Sequence, residues 1–250
     1  MTLPSSLRLS PMTVSAHLRY PIIRRILGSA PDGATVTEFG AGRGAMASRF
    51  VAAGYDYLGF EPDPESFDAA EHARGGNGTG VLHNGFPPED PTRLSDVVVA
   101  FEVLEHIELD DAALSSWFQW LKPGGLLILS VPAHQDRFGD ADVAVGHYRR
   151  YERSQLTELL GGAGFVSVEV KSVGFPAGFV LEAIRNRLLT PSSDSIEDRT
   201  AASGRRLQPP EQMGWLTAVA ALPFTLAQRP FEHTDLGTGY VAMARRPSEP

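Results

Sequence analysis

The sequence predicts an α/β protein: a mostly parallel sheet of seven strands, helices on both faces, and a helical insertion before the last strand. Two observations predict it. Short apolar runs alternate with helical patterns from about Thr35 onward, which is how βα units on a parallel sheet read. The first of these runs ends in Gly40-Ala41-Gly42-Arg43-Gly44 ahead of a helical segment, a tight turn whose backbone can approach a ligand because glycine has no Cβ.

Each element has its own local reason. A first helix over Val14–Leu27 carries Leu18, Ile22, Ile23, Ile26 and Leu27 at helical spacing and is expected to pack beside the first strand. Strands are expected near Thr35–Phe39, Tyr57–Glu61, Gly80–His83, Asp96–Phe101, Leu126–Val131, Val166–Val173 and Tyr240–Ala244, each bounded by glycine, proline or polar residues. Pro64–Arg74 reads as a helix, with Asp63 to cap its free amides and Pro64 at a position that needs no donor. Leu156, Leu159 and Leu160 mark the apolar face of another. Phe179–Leu189 and Trp215–Leu226 also read as helices, whereas Thr190–Pro210 is polar, aperiodic and expected to be a mobile loop. Residues 1–178 and 236–250 therefore form the expected main domain, with 179–235 as the insertion.

Composition bounds the partners. A net charge of -8 disfavours a broad electrostatic grip on nucleic acid or on anionic membrane, and suits a small neutral or cationic acceptor better. The absence of cysteine removes disulfides, thiolate metal sites and thiol nucleophiles together and fits a reducing compartment. Met1–Pro21 has no apolar stretch of signal-peptide length, and no segment is apolar for long enough to span a bilayer, so the expected location is cytoplasmic. No feature of the sequence indicates an oligomeric state.

Taken alone, the glycine loop has more than one reading. Gly40, Gly42 and Ala45 satisfy a relaxed dinucleotide pattern, and Glu61 lies about where a ribose-binding acid belongs, so an NAD(P)-dependent oxidoreductase is the first rival. A turn needed only for packing is the bland alternative.

The rest of the chain resembles the class I S-adenosylmethionine-dependent methyltransferases. The resemblance lies in Glu38 two residues before the first glycine, and in Gly59-Phe60-Glu61-Pro62-Asp63 closing the second strand. It continues in the run from Asp96 to Ile107, with its Leu104-Glu105-His106, and in the turn Leu121-Lys122-Pro123-Gly124-Gly125. Gly162-Ala163-Gly164-Phe165, with Gly239–Arg245 at the end, looks like that family's terminal β-hairpin. The resemblance covers Thr35–Val173 and the last strand, and hardly touches 179–235. It implies a Rossmann-like fold and a bound S-adenosylmethionine. Gly40, Gly42 and Gly44 would face the methionine part, Glu38 its ammonium group, Glu61 the ribose hydroxyls and Pro62 the adenine. Where the family often has an aspartate after the third strand, this chain has His83-Asn84-Gly85-Phe86. Asn84 would then accept from the adenine amino group and Phe86 pack on the ring. Glu102, closing the fourth strand, joins the expected cofactor residues. A cofactor-binding protein without catalysis remains a further reading.

Methyl transfer from a sulfonium needs alignment more than a nucleophile, but a hydroxyl acceptor needs its proton removed or its oxygen bound to a metal. If a helix begins near Glu102, then Glu102, Glu105 and His106 share one face, and His147 returns to the same edge of the sheet. This set is similar to metal-assisted O-methyltransferases, the ubiquinone-pathway enzymes with Glu-x-x-Glu-His and the plant small-RNA 2′-O-methyltransferase with its later histidine. Manganese, iron or zinc suits such donors better than magnesium. The alternative is His106 or His147 as a metal-free base, or a structural role only.

The acceptor side is read from the segments that follow. Val131-Pro132-Ala133-His134 and Gly146-His147-Tyr148-Arg149-Arg150-Tyr151 look like a bacterial methyltransferase group associated with sugar and natural-product pathways, a pointer to a small-metabolite acceptor, while the acidic and histidine cluster favours oxygen as the methylated atom. His134 lines the acceptor pocket or sits in a solvated loop, and His17, His72, His83 and His233 are surface or packing residues. Arg149, Arg150 and Arg153 offer a basic patch for an anionic acceptor, or a solvated face. Phe175, Phe179, Trp215, Phe224 and Phe231 form a lid or the insertion's own core, with membrane contact a third option.

Overall fold

The computed structural model describes residues 9–74, 80–91, 93–189, 195–196, 198–201 and 214–248. Seven strands form one sheet in the order β3-β2-β1-β4-β5-β7-β6. They are β1 (Thr35–Phe39), β2 (Asp56–Glu61), β3 (Gly80–Asn84), β4 (Ser95–Phe101), β5 (Leu121–Pro132), β6 (Val166–Val173) and β7 (Gly239–Arg245). The first five run parallel, and β7 lies antiparallel between β5 and β6. The expected sheet is therefore present, including the terminal hairpin. One strand differs: β5 begins at Leu121, since the Lys122–Gly125 stretch, with Gly124 at φ +75°, is an irregular extension of the strand whose register against β4 shifts between Ser95 and Val97. A β-bulge of this kind prolongs pairing through residues that read locally as a turn.

The helices are α1 (Val14–Leu27), α2 (Ala45–Ala52), α3 (Pro64–Arg74), α4 (Asp110–Gln119), α5 (Asp140–Ala144), α6 (Arg153–Gly162), α7 (Ala177–Leu188) and α8 (Gly214–Ala227). On one face of the sheet Leu18, Ile22 and Ile26 of α1, Phe50 of α2 and Ala70 of α3 meet Val36, Val97, Val99 and Ile128. On the other, Leu114 and Trp117 of α4 and Leu156 and Leu160 of α6 meet Val98, Leu127 and Leu129. The central strand β4 is buried on both sides, which is why it reads as the unbroken run Val97-Val98-Val99-Ala100 rather than as an alternation. Asp63 caps α3 as its position predicts, its Oδ2 accepting from the Ser66 amide at 2.9 Å.

Aromatic packing anchors the second face. Trp120 is fully buried, edge-on to Phe39 and Phe60 with ring centroids 5.6 and 5.4 Å away. Replacing it with alanine is expected to cost about 3–5 kcal/mol in denaturant unfolding. Because its indole N–H has no partner, Trp120→Phe should cost clearly less.

The part of the chain expected as an insertion is fastened on two sides. Thr217 at the start of α8 donates to Met12 O at 2.9 Å, Gln228 donates to Leu18 O at 2.7 Å, and Arg25 of α1 pairs with Glu232. The stretch Thr190–Pro210 falls mostly outside the described residues; within it, 198–201 are helical. Among the described residues, no helix is long and apolar enough to cross a membrane.

Candidate active site

The carboxyl ends of β1, β2, β4 and β5 bring the expected residues to one edge of the sheet. At the end of β1 the chain turns through Gly40, Gly42 and Gly44 with φ of +71°, +54° and +78°. At Gly40 a Cβ would also lie 2.5 Å from Val103 Cγ2, so the residue is glycine for both conformation and space. Glu38 is buried just before this turn, and Tyr57 Oη donates to its Oε2 at 2.7 Å. Burial pushes the Glu38 carboxyl up to about 8, with the Tyr57 bond working against that rise and the neighbouring Glu61 charge adding to it.

Glu61 closes β2 with each oxygen already accepting a backbone amide, Gly42 N on Oε2 at 2.7 Å and Asp63 N on Oε1 at 2.9 Å. One lone pair per oxygen remains for a ligand. Burial raises this carboxyl from the ordinary range, and the two amides oppose it. Next to it, Asn84 is paired with Glu61 in the β2–β3 register, and Pro62, Asn84 and Phe86 are exposed, Phe86 by 82%. His83 stacks on Phe60, so it packs, as expected.

The segment after β4 differs from its expected form. Glu102 does not begin a helix: its amide donates to Ser130 O at 2.9 Å, continuing the β4–β5 ladder, and its φ is +57°. A single 3-10 turn over Leu104–His106 follows, and α4 starts only at Asp110. The Glu102 carboxylate accepts from Ser130 Oγ at 2.9 Å and pairs with Arg19 of α1 at 3.2 Å. Strand pairing and Arg19 thus engage Glu102, which is not among the side chains that converge below, although its charge is felt at Glu105.

Glu105, His106 and His147 do converge, with one ligand atom from each within 4.8 Å of the others. The Tyr148 amide donates to Glu105 O at 2.8 Å and ties the two segments together. The Glu105 side chain is fully buried, and neither of its oxygens has a hydrogen-bond partner. Burial, and then the charge of Glu102, pushes its carboxyl well above the usual range. His106 Nδ1 donates to Gly146 O at 3.2 Å, with Thr200 Oγ1 at the same distance, and burial followed by the neighbouring His147 pushes its pKa down to about 3. It is a neutral ring with its Nε2 lone pair free of a proton. His147 packs edge-on to it, 4.7 Å between centroids, with Nδ1 3.0 Å from Asp142 Oδ1 and Nε2 3.8 Å from Glu105 Oε1. Burial alone would raise Asp142, but hydrogen bonds from His147 and Arg150 and the charge of Arg185 hold it well below the carboxylate range. His147 Nδ1 therefore donates, and its Nε2 faces Glu105.

The basic patch is not free. Arg149 pairs with Asp110 at 2.7 Å, Arg150 with Asp142 and Glu182, Arg153 with Asp235, and Arg185 with Asp142. The expectation of an anionic-acceptor patch at Arg149, Arg150 and Arg153 is overturned by these internal carboxylates. His134, at φ +67°, lies 3.4 Å from Glu152 and edge-on to Tyr240, a half-buried loop position. Sequence reasoning missed Arg19, Glu182 and Thr200, whose partners Glu102, Arg150 and His106 lie far away along the chain, and Asp142, whose bonds to His147 and Arg150 span five and eight residues.

Residues 16–170 match the family described as a methyltransferase domain. A Mycobacterium marinum protein named as an uncharacterized methyltransferase is 31% identical over 151 residues, 60% of this chain and 55% of that one, so the chain matches about half the length of such relatives. An S-adenosylmethionine-dependent methyltransferase from Mesorhizobium loti has the same fold, with a TM-score of 0.60 at 15% identity over 93% of this chain and all of that one. A Haemonchus contortus phosphoethanolamine N-methyltransferase, solved with S-adenosylmethionine, gives 0.57 at 18% identity over 92% and 52%. The family match decides between the two readings of the glycine loop. The chain belongs to the methyltransferase domain family, on the Rossmann-like seven-stranded fold of the class I S-adenosylmethionine-dependent methyltransferases.

Proposed function

We propose that this protein transfers a methyl group from S-adenosylmethionine to a hydroxyl of a small-molecule acceptor, of natural-product or sugar type. The observation that carries the reading is Glu105: a fully buried carboxyl without a hydrogen-bond partner among the described residues, 3.8 Å from His147 Nε2 and converging with His106, each imidazole being held at its Nδ1. An amine acceptor would not need such a cluster once deprotonated, whereas a hydroxyl has a proton to lose.

On the donor side, Gly40, Gly42 and Gly44 would cradle the methionine part, Glu38 its ammonium, Glu61 the ribose hydroxyls, and Pro62, Asn84 and Phe86 the adenine. The exposure of these last three supports an open adenine edge. S-Adenosylmethionine supplies a methyl group already activated on sulfur; the oxygen–methyl bond forms in line as the sulfur–methyl bond breaks and its electron pair returns to sulfur. The chain's residues align the acceptor and take its proton, for which His147 Nε2 is placed. Helix α7, most of which lies in the proposed insertion 179–235, would cover the acceptor, since Glu182 and Arg185 already reach the His147 segment.

The same donors fit a divalent cation. A buried carboxyl whose oxygens take no hydrogen bond among the described residues, and two imidazoles each oriented by a bond at Nδ1, are what a metal site with supported ligands requires. A cation held by Glu105, His106 and His147 would lower the pKa of a bound hydroxyl. Manganese, iron or zinc suits one carboxylate and two imidazoles. Chelation followed by dialysis is expected to lower methyl transfer by at least about tenfold, restored by adding back manganese or zinc. Full activity after chelation would remove the cation from the reading and leave His147 as the base.

A further inference from the structure

Behind His147 lies a chain of buried charges that neither the family match nor the proposed reaction explains. Asp142 Oδ1 takes the His147 Nδ1 proton at 3.0 Å. Its Oδ2 is gripped by one guanidinium through two nitrogens, Arg150 Nε at 3.0 Å and Nη2 at 2.7 Å. The third nitrogen, Nη1, donates to Glu182 Oε1 on α7. Glu182 Oε2 accepts from Arg137, which stacks on Phe179 of the same helix with its guanidinium carbon 4.4 Å from the ring centre. Arg185, one turn along α7, adds a bond to Asp142 Oδ1 at 3.1 Å.

Arg150 and Asp142 are each only 1% exposed. Two charges this deep cost several kcal/mol of desolvation each, and an apolar pair of the same volume commonly stabilises a fold as well or better. Stability alone is a poor reason for them. Their geometry does something an apolar pair would not: a carboxylate pinned at one oxygen by a two-pronged guanidinium cannot rotate, so its other oxygen is fixed as the acceptor of the imidazole proton. That fixes the ring plane of His147, while the carboxylate itself, an acceptor at either oxygen, sets the tautomer.

We propose that Asp142, Arg150 and Glu182 are positioning residues for His147: Asp142 sets its Nδ1–H tautomer, and docking of α7 through Glu182 holds that carboxylate, and with it the ring, so that Nε2 is aimed at Glu105. The inference rests on the reading that His147 works at the site of methyl transfer. It makes α7 a supporting wall of the site as well as part of its cover. A segment that hardly resembles the family thereby controls a residue in the part that does.

The tautomer can be read without turnover. Protein labelled with nitrogen-15 at histidine, in the presence of S-adenosylhomocysteine, is examined by two-bond nitrogen–proton NMR, with His147 assigned by its loss in His147→Ala. In the unaltered protein the Nδ1–H form is expected to dominate. In Asp142→Asn the side-chain amide donates to Nδ1 and the Nε2–H form takes over. In Glu182→Ala the Nδ1–H form persists, because Asp142 still accepts, but its proton exchanges with solvent at least about tenfold faster, while Glu182→Gln, which keeps an acceptor for Arg150, exchanges at the unaltered rate. Calorimetric binding of S-adenosylhomocysteine within about twofold of the unaltered protein shows that Glu182→Ala remains folded. An unchanged Nδ1–H exchange rate in Glu182→Ala overturns the positioning role. Absence of methyl transfer by the unaltered protein counts against the proposed function instead, and leaves the tautomer measurement standing.

Discussion

Glu38→Gln is expected to weaken S-adenosylmethionine binding by roughly 10- to 100-fold, the size of a hydrogen bond to a charged group in a buried site. In the ligand-free protein, burial holds the Glu38 carboxyl at about 8, so it carries a proton at neutral pH. A cofactor ammonium beside it favours the carboxylate, and binding must then release that proton. Calorimetry at pH 7 in buffers of different ionisation enthalpy should find release of close to one proton, and affinity should rise by up to about tenfold per pH unit from pH 6 to 7.5. Above that window the cofactor's own α-amino group, ordinarily near 8, begins to lose its charge. Glu38→Gln should abolish both effects.

The same residue predicts how ligand-free stability depends on pH. The folded protein keeps a proton on Glu38 that the unfolded chain has lost above 4.5, so the native state binds more protons and stability falls as pH rises. The fall runs from about 4.5 to about 8 and is up to about 5 kcal/mol as an upper bound. Denaturant unfolding of Glu38→Gln should lose this part of the pH dependence and keep the parts that Glu61, Glu105 and His106 contribute. A variant that binds the cofactor as tightly as the unaltered protein, with the same proton release, would remove Glu38 from the site.

The second large effect is expected at the cluster after β4. His147→Ala and Glu105→Ala should each lower kcat for methyl transfer by about 10²- to 10⁴-fold, the range for loss of a positioned proton acceptor. Both should leave S-adenosylhomocysteine affinity within about twofold, because the glycine loop and Glu61 lie on β1 and β2 while this cluster follows β4 and β5. Glu105→Ala also removes a buried carboxyl that no hydrogen bond satisfies, so its thermal stability should be equal to or above that of the unaltered protein. A loss of cofactor affinity equal to the loss of kcat would place the cluster in the cofactor site rather than beside the acceptor.

The features legible in the sequence were those set by near neighbours. The βα alternation, the glycine turn and the Asp63 cap each depend on residues a few positions apart, and each is present in the fold. Glu102 shows why the reading stopped there. Its spacing to Glu105 and His106 fits a helix, but its amide is claimed by Ser130 on the neighbouring strand and its carboxylate by Arg19, 83 residues earlier. The run of arginines after His147 misled in the same way. Arg150 is paired with Asp142, eight residues earlier, and with Glu182, 32 residues further on in a helix that shows no trace of the pairing in its own pattern. A buried charge network is defined by tertiary contacts alone, so its members read locally as surface.

The central claim is that the loop from Gly40 to Gly44, with Glu38 and Glu61, holds S-adenosylmethionine. Isothermal calorimetry of the intact chain against S-adenosylmethionine and S-adenosylhomocysteine tests it most directly, with NAD and NADP as comparators. The account predicts saturable binding of both sulfur nucleosides at one site, weakened by Glu38→Gln, with no heat from the nicotinamide nucleotides. Absence of binding at high micromolar cofactor, with binding of a nicotinamide nucleotide in its place, would contradict it.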